Sequence, residues 1–221
     1  MLHRLSLKLT QQIEKAAQII KAGGVVAFPT DTVYGLGANP FLDKAVARIY
    51  KIKVRDRQLP LPILLADEVQ IADVVATVSD VARLLMKCFW PGGLTLVLPK
   101  ASSFSDSVTA GGDSVAIRMP GHEVTLALIR KAGVPIVGTS ANLSNQPSAL
   151  TAEEVKDQLG GAVDLVVDGG RCPGGTESTV VDLTGSVPVI LRLGAVPEEK
   201  IKQVYLEYMK EVNQNAYCSR L

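Results

Sequence analysis

The sequence contains little histidine and little cysteine, with 2 and 3 residues of these kinds among 221. The histidines, His3 and His122, are too few for a His/Cys metal cluster, so we predict no metal site built from protein side chains. The cysteines, Cys88, Cys172 and Cys218, are odd in number and widely spaced, and no two of them form a CxxC pair. They therefore predict no disulfide framework, which suits a protein of a reducing compartment.

The chain also lacks a strong charge of either sign and a long hydrophobic run. Its 23 Lys and Arg residues nearly balance its 22 Asp and Glu residues, which leaves a net charge of +1. This excludes a global basic field for non-specific nucleic-acid binding, and any anion site must be local. No apolar segment at the N-terminus has the form of a signal peptide, and none elsewhere is long enough to span a bilayer. We therefore expect a cytoplasmic protein without membrane contact.

Two familiar kinds of active-site motif are missing as well. The sequence has neither a GxxxxGK[ST] loop nor a GxGxxG loop after a strand, so neither standard phosphate cradle applies. A Ser-His-Asp triad would have to use His3 or His122. His122 follows Gly121 in a predicted turn, where a solvated or helix-capping role is favoured. Nucleophilic hydrolysis is therefore not favoured.

What the sequence does contain is an alternation of strand-like and helical segments. An amphipathic pattern predicts a helix over residues 11–22, and the apolar residues 25–28 that follow predict a strand. Later helices are predicted to begin at Ser79 and at Thr151, the second with Glu154 in a capping box. The mixed order of strands and helices predicts a single α/β domain with a mixed sheet.

A run of alternating cations follows a predicted helix over residues 43–51. Residues 51–57 place Lys51, Lys53, Arg55 and Arg57 at every second position. In an extended backbone these side chains would share one face and form a site for a polyanion, such as a nucleoside triphosphate or nucleic acid. The alternative is an edge strand whose basic face is merely solvated and discourages edge-to-edge pairing. Taken alone, the run favours this alternative.

Loops rich in hydroxyl groups and glycine lie at the predicted strand ends. Such loops can bind phosphate and carboxylate oxygens without a Walker motif. Each one singly is more often just a turn, but several of them together with two arginines at strand ends favour a site. The loops occupy residues 29–37, 109–113, 139–142 and 174–179, and the arginines are Arg118 and Arg192.

Seven motifs in fixed order are similar to those of the YrdC/Sua5 family. The resemblance covers about residues 10–200, nearly the whole chain. The motifs are FPTDTVYGLG, the pair Lys53-x-Arg55 followed by Pro60-Leu61, WPGGLTLVL, VTAGGDSVAIRMPGH, VGTSANLS, ESTVVDL and ILRLGAV.

The resemblance implies an open, twisted α/β fold with a positively charged concave cleft, in which one mixed sheet is flanked by helices. It implies a YrdC-like domain over residues 8–203, followed by the end of a C-terminal helix and a polar tail over residues 204–221. Longer family members carry a second, C-terminal domain. We therefore expect this chain to be a short form without that domain.

The family resemblance also implies a reaction. L-threonine, bicarbonate and ATP give threonylcarbamoyl-adenylate and pyrophosphate, with Mg²⁺ accompanying ATP. A partner transferase then passes the threonylcarbamoyl group to N6 of adenosine 37 in tRNAs that read codons beginning with A. Charge builds on the phosphorus centre and on the leaving pyrophosphate, so fixed cations are expected to dominate the catalysis.

Site residues follow from the family motifs, residue by residue. Lys53 and Arg55 are expected to grip the ATP phosphates and carry the catalysis. Arg118 is expected to pair with the threonine carboxylate; the alternative is a strand residue in a surface ion pair. The remaining nucleotide-contacting residues are Arg57, Thr109, Ser140, Ser148 and Arg192, and the remaining threonine-contacting residues are Thr30, Gly138 and Ser178.

Other residues of the same motifs are expected to support the site. Asn142 is interpreted as a turn residue that holds Ser140 in place. Asp31 and Tyr34 orient the first loop, or Tyr34 packs in the core with its hydroxyl satisfied.

Two residues depart from the family pattern. Val54 stands where many members have glycine between Lys and Arg, and Leu64 stands where some have a histidine near threonine.

Three alternatives stay open. The first is a double-stranded RNA or tRNA-binding module that uses the same basic cleft, although a net charge of +1 argues against high affinity. The second is the carbamoyl-adenylate chemistry of hydrogenase maturation, in which carbamoyl phosphate replaces bicarbonate and threonine. The third is a vestigial cleft.

Overall fold

The computed structural model describes residues 5–218. Within this range the chain forms seven α-helices, two 3₁₀ helices and ten short strands. The helices are α1 (Leu7–Lys21), α2 (Asp43–Lys53), α3 (Asp80–Phe89), α4 (Asp106–Thr109), α5 (Glu123–Ala132), α6 (Ala152–Leu159) and α7 (Glu198–Cys218), with 3₁₀ turns at Glu68–Asp73 and Gly160–Ala162. The strands are β1 (Val26–Phe28), β2 (Gly35–Gly37), β3 (Ile63–Leu64), β4 (Leu94–Pro99), β5 (Ser114–Arg118), β6 (Ile136–Val137), β7 (Thr139–Ser140), β8 (Leu165–Val166), β9 (Thr179–Asp182) and β10 (Val189–Arg192).

The strands form two mixed sheets, so the prediction of one sheet is wrong. The smaller sheet has the order β7-β2-β1-β8, and the larger has the order β10-β9-β4-β5-β3-β6. Parallel and antiparallel pairs occur in both. The chain passes between the sheets at Gly138, the residue that separates β6 in the larger sheet from β7 in the smaller one. The end of β6 and the start of β7 thereby bring the two sheets together.

The hydrophobic core divides at β1 because successive strand residues point to opposite faces. Val26 and Phe28 pack with α1 and α5, while Val25 and Ala27 join the larger cluster beneath the six-stranded sheet. Strand β2 fits against the Phe28 ring only because it carries glycine. A Cβ atom at Gly35 would lie 2.7 Å from a ring atom of Phe28.

The helix starts follow side-chain caps. Ser79 and Thr151 accept bonds from the backbone N–H groups of Ala82 and Glu154, so both predicted starts are confirmed. The carboxylate of Glu154 accepts from Leu150 N at 2.7 Å, one residue before the predicted partner. The first helix begins at Leu7 rather than residue 11 because Ser6, not a later residue, provides the cap.

The C-terminal helix extends through most of the predicted segment 204–221. It runs without a break from Glu198 to Cys218, and the domain boundary at residue 203 stays a prediction. Residues 219–221 of the predicted tail, and His3, lie outside the described residues. None of the helices in the described part of the chain is long and apolar enough to cross a membrane.

Candidate active site

A cleft between the two sheets collects most of the predicted site residues. It contains about 670 Å³ of space that no atom fills, including the part open to solvent. The smaller sheet and its loops contribute one wall, and the open face of the larger sheet contributes the other. Of the predicted residues, those that line this cleft are Thr30, Arg55, Arg118, Gly138, Ser140, Ser178 and Arg192.

The run of alternating cations does not form an extended basic face, and that prediction is wrong. Helix α2 continues through Lys53 and ends at Val54, which has a left-handed backbone (φ 51°, ψ 44°). Helical spacing prevails because Val46, Ile49 and Tyr50 bury one face of the helix. As a result Arg55 lines both the cleft and an adjoining groove on the outer side of α2, whereas Lys51 and Arg57 line the groove and not the cleft.

Lys53 is buried and does not line the cleft. Its Nζ donates to the backbone oxygens of Ser140 at 2.5 Å and Asn142 at 2.8 Å, and to Asn142 Oδ1 at 3.1 Å. Burial, with a smaller contribution from Arg55, lowers the pKa of Lys53 to about 8. The ammonium therefore fastens the end of α2 to strand β7 and the loop after it. Contact between Lys53 and ATP phosphates stays a prediction.

Asn142 has the structural role that its motif suggested. Besides accepting from Lys53, its Nδ2 donates to the carbonyl oxygens of Leu143 at 3.0 Å and Gln146 at 2.6 Å. The Asn142 side chain closes the turn after β7, and this turn holds Ser140 at the wall of the cleft.

Arg118 is buried, with 6% of its surface exposed, so the surface-ion-pair alternative is wrong. Its Nη2 pairs with Asp31 Oδ1 at 2.5 Å, its Nη1 donates to Thr32 Oγ1 at 3.0 Å, and its Nε donates to Gly92 O at 2.8 Å. Burial lowers the pKa of Arg118, and the Asp31 carboxylate opposes that shift. The guanidinium is thus held rigidly at the cleft wall, with two of its five N–H groups left for a ligand.

The loop after β1 is built around Thr30. Its Oγ1 accepts from the backbone N–H groups of Thr32 at 3.1 Å and Val33 at 3.2 Å, and donates to Val33 O at 2.6 Å. The N–H of Thr30 donates to Cys172 Sγ at 3.4 Å. Tyr34 is fully buried and its hydroxyl donates to Gly170 O at 2.8 Å, which matches the core-packing interpretation. The hydroxyl of Thr30 therefore stabilises the turn formed by residues 30–33.

A chain of polar contacts links the larger sheet to the opposite wall. Thr95 Oγ1 and Ser178 Oγ lie 2.8 Å apart, and Arg192 donates through Nη2 to Ser178 O at 2.9 Å. Arg192 Nη1 forms an ion pair with Glu177 Oε2, and Glu177 Oε1 accepts from Ser148 Oγ at 3.1 Å. Ser148 thus reaches the site through Glu177.

Gly138 and Leu64 occupy the place where the two sheets meet. A Cβ atom at Gly138 would lie 2.2 Å from Leu64 Cγ, so any side chain there would displace Leu64. Leu64 lies on β3 at the position where the resemblance implied a histidine in some family members. Leu64 therefore makes this part of the cleft wall apolar.

Besides Lys53 and Ser148, three further residues considered in the sequence lie away from the cleft or lack the expected contact. Thr109 is buried on α4 beneath the segment that follows Arg55, and its Oγ1 has no hydrogen-bond partner among the described residues. Arg57 lies in the outer groove. His122 is the N-cap residue of α5, as predicted, but its side chain makes no capping bond.

Sequence reasoning missed four polar residues of the cleft: Thr32, Thr95, Thr139 and Glu177. Each lies inside a quoted motif, and all but Thr95 are next to a selected residue or two positions from one; Thr139 lies between Gly138 and Ser140. Thr32 belongs to the first loop, Thr95 to the WPGGLTLVL segment, and Glu177 directly precedes Ser178. The alternation of side chains along a strand would have pointed to Thr95.

The family follows from comparison with known proteins. A family model named Sua5_yciO_yrdC and described as "Telomere recombination" matches residues 18–194. The chain belongs to the Sua5/YciO/YrdC family. Threonylcarbamoyl-AMP synthase from Bacillus subtilis (strain 168) is 48% identical over 194 residues, which cover 87% of this chain and 56% of that protein. The chain thus spans about half the length of the first relatives it matches.

Solved structures of this Sua5/YciO/YrdC family share the fold. The crystal structure of Pyrococcus abyssi Sua5 complexed with L-threonine matches with a TM-score of 0.88 at 44% identity, over 91% of this chain and 58% of that one. Escherichia coli YciO matches with a TM-score of 0.78 at 29% identity, over 85% of this chain and 91% of that one. The mixed α/β fold with open sheets is therefore confirmed.

Proposed function

We propose that this chain catalyses formation of threonylcarbamoyl-adenylate and pyrophosphate from L-threonine, bicarbonate and ATP. One observation carries the proposal. Arg55, Arg118 and Arg192 come from three separate parts of the chain and converge on one cleft. Relatives from Bacillus subtilis and Pyrococcus abyssi bear the name threonylcarbamoyl-AMP synthase. The three arginines support the positively charged cleft expected for the family.

Threonine binds, in this proposal, beside Arg118. The two N–H groups that Arg118 does not spend on protein partners suit a carboxylate, which accepts paired bonds from a guanidinium. Thr30, Gly138 and Ser178 line the same part of the cleft, and Leu64 supplies an apolar contact. The complex of Pyrococcus abyssi Sua5 with L-threonine supports an amino acid as substrate.

The nucleotide phosphates bind beside Arg55, Arg192 and Ser140. Arg55 is anchored by Nη2 donating to Pro60 O at 3.2 Å, which leaves other donors for phosphate oxygens. Lys53 positions Ser140 by donating from Nζ to the carbonyl oxygen of Ser140. The predicted nucleotide-contacting set also includes Ser148, Arg57 and Thr109. Of these three, Ser148 contacts a residue of the cleft wall, Glu177.

The chemistry forms two bonds and releases pyrophosphate. The threonine amine bonds to the carbon of bicarbonate with loss of water, which gives N-carboxythreonine. A carboxylate oxygen of that group then attacks the α-phosphorus of ATP, and the bond to the β-phosphate oxygen breaks. Negative charge grows on the phosphoryl oxygens and on pyrophosphate, where Arg55 and Arg192 stabilise it without having to reorganise.

Magnesium enters this proposal with the nucleotide. Within the described residues no group of three or more His, Cys, Asp or Glu side chains could hold a metal ion, and Glu177 is the one carboxylate that lines the cleft. Glu177 is engaged by Arg192 and Ser148, so Mg²⁺ would be held by the phosphates and by its own waters rather than by protein carboxylates. When bound, the ion would neutralise charge on the leaving phosphates.

The product is a mixed anhydride and therefore an activated group, so we propose a downstream transferase that passes the threonylcarbamoyl group to tRNA. A reducing, cytoplasmic location is in keeping with Cys88 and Cys172, which are both free thiols in the structure. The RNA-binding alternative is not favoured, because the relatives at 45–48% identity are named as synthases.

The test uses pure protein with ATP, bicarbonate and labelled threonine. We expect pyrophosphate release that depends on threonine and falls about a hundredfold in Arg55→Ala, the loss typical of one removed transition-state donor. Carbamoyl phosphate in place of bicarbonate and threonine distinguishes the hydrogenase-maturation chemistry. Turnover without threonine, or none at all, would contradict the proposal.

A further inference from the structure

Glu177 binds two groups that the family resemblance assigns to the nucleotide. Its Oε2 forms an ion pair with Arg192 Nη1, and its Oε1 accepts from Ser148 Oγ at 3.1 Å. Among the residues that line the cleft, Glu177 is the one anion, beside Arg55, Arg118 and Arg192. The Glu177 carboxylate therefore accepts hydrogen bonds from Arg192 and Ser148, the two groups expected to donate to phosphate oxygens.

Glu177 also neutralises neighbouring cations. Burial lowers the pKa of Arg55 and Arg192 lowers it further, while Tyr50 and then Glu177 act in the opposite direction. Lys53 shows the same pattern, with burial and Arg55 lowering its pKa and Glu177 opposing them. Cations this close repel one another, and the Glu177 carboxylate relieves that repulsion in the nucleotide-free protein.

The side chain of Glu177 can leave without moving its backbone. The backbone oxygen of Glu177 accepts from Ala195 N at 2.8 Å. The same oxygen packs against Gly194, because a Cβ atom at Gly194 would lie only 2.2 Å from it. Arg192 is held separately, because its Nε and Nη2 donate to Ser178 O at 3.2 Å and 2.9 Å. A rotation of the Glu177 side chain would free Arg192 Nη1 and Ser148 Oγ while both partners stay in place.

We propose, on the basis of the function proposed above, that Glu177 is an internal anion which holds Arg192 and Ser148 until the phosphates of a nucleotide displace it. The incoming polyphosphate then accepts hydrogen bonds from Arg192 and Ser148 and neutralises the neighbouring cations in place of Glu177. The displaced carboxylate then becomes a like charge beside the phosphates. Glu177 therefore stabilises the free protein and weakens nucleotide binding.

A charge-neutral substitution separates this role from a merely structural one. Glu177→Gln keeps the size and shape of the side chain but removes its charge. The free variant should unfold at a midpoint about 2 °C lower, because the cations lose their counter-anion. The same variant should bind polyphosphate more tightly, because neither competition nor repulsion remains. If Glu177 only held Arg192 in place, stability and affinity would fall together.

The experiment measures binding of pyrophosphate and of a non-hydrolysable ATP analogue by calorimetry, without threonine or bicarbonate. We expect Glu177→Gln to bind both about fivefold more tightly, the ratio that corresponds to about 1 kcal/mol for a partly exposed ion pair. The gain should shrink at high salt. Glu14→Gln, which breaks the exposed Glu14–Lys131 pair between α1 and α5, is the matched control and should change neither affinity.

Equal or weaker binding by Glu177→Gln would overturn this inference alone. Failure of the wild-type protein to bind either ligand would overturn the proposed function and this inference with it. A crystal structure of the wild-type protein with pyrophosphate gives a second test that needs no variant. Glu177 Oε2 should lie beyond ion-pair distance from Arg192 Nη1, and a retained ion pair would contradict displacement.

Discussion

The ammonium of Lys53 lies 2.5 Å from the carbonyl oxygen of Ser140, so a residue at the end of α2 holds a strand of the smaller sheet. The two residues are 87 positions apart in sequence. This contact makes the charge of Lys53 part of the architecture of the site. It also makes that architecture sensitive to pH, since burial lowers the pKa of Lys53 to about 8.

Lys53 should give the protein a distinctive rise in stability with pH. Its folded pKa of about 8 lies below the unfolded value of 10.5, so the unfolded chain binds more protons between these limits. The contribution of Lys53 to the free energy of unfolding is therefore fully present above about pH 10.5 and is lost as the pH falls through about 8. Urea unfolding at intervals from pH 7.5 to 10.5 should show wild type gaining stability relative to Lys53→Met, by up to about 3 kcal/mol.

Lys131→Met provides the control for this measurement. Lys131 forms an exposed ion pair with Glu14 at 3.1 Å, and its stability difference from wild type should not vary over the same pH range. A difference between wild type and Lys53→Met that stays flat with pH would show that Lys53 is not desolvated as described.

Val54 should be a site of stored backbone strain. It is 79% exposed, and its φ of 51° lies in the left-handed region, which β-branched residues rarely adopt. Val54→Gly, which introduces the residue that many family members carry, should raise the free energy of unfolding by about 1 kcal/mol. Chemical denaturation with a constant m-value measures this difference.

Val69→Gly tests whether the gain comes from the backbone. Val69 is 80% exposed in the 3₁₀ helix at Glu68–Asp73 and has no positive φ, so glycine there should destabilise the protein. If both glycine variants changed stability in the same direction, strain at Val54 would not be the cause.

Much of the fold was predictable because it depends on local signals. Ser79 and Thr151 cap helices at the predicted residues, and the apolar segment before Pro29 forms β1. The division into two sheets was not predictable, because strands such as β3 and β6 are only two residues long. Strands this short carry too little alternation of hydrophobic and polar residues to define a register.

The sequence predicted many of the residues that line the site, but not the contacts that those residues make. Motif resemblance selected Arg55, Arg118 and Arg192, which do line one cleft. It did not reveal that Lys53 points into the protein, because the oxygens that bind it belong to a segment far along the chain. The alternating cations of residues 51–57 suggested an extended strand, but α2 continues through Lys53 because one face of that helix is buried.

The buried pair of Asp31 and Arg118 should be important for stability. Their side chains are 18% and 7% exposed, and Asp31 Oδ1 also accepts from Gly121 N at 2.9 Å. Asp31→Asn leaves the guanidinium buried without a counter-charge, which should cost about 3 kcal/mol of unfolding free energy. Glu14→Gln, which breaks an exposed pair, should cost less than about 1 kcal/mol in the same assay. Equal losses in the two variants would contradict the importance of burial.

Arg55 and Arg57 should differ sharply in their effect on nucleotide binding, although both were predicted to contact ATP. Arg55 lines the cleft as well as the groove outside α2, whereas Arg57 lines the groove and not the cleft. If the proposed function holds, Arg55→Ala should lower threonine-dependent pyrophosphate release about a hundredfold. Arg57→Ala should lower it less than about threefold, because a solvated cation outside the cleft contributes only weakly to binding. Steady-state rates at two salt concentrations separate the two residues, since any effect of Arg57 should fade at high salt. A large, salt-independent loss in Arg57→Ala would mean that the outer groove belongs to the nucleotide site and that the cleft described here is incomplete.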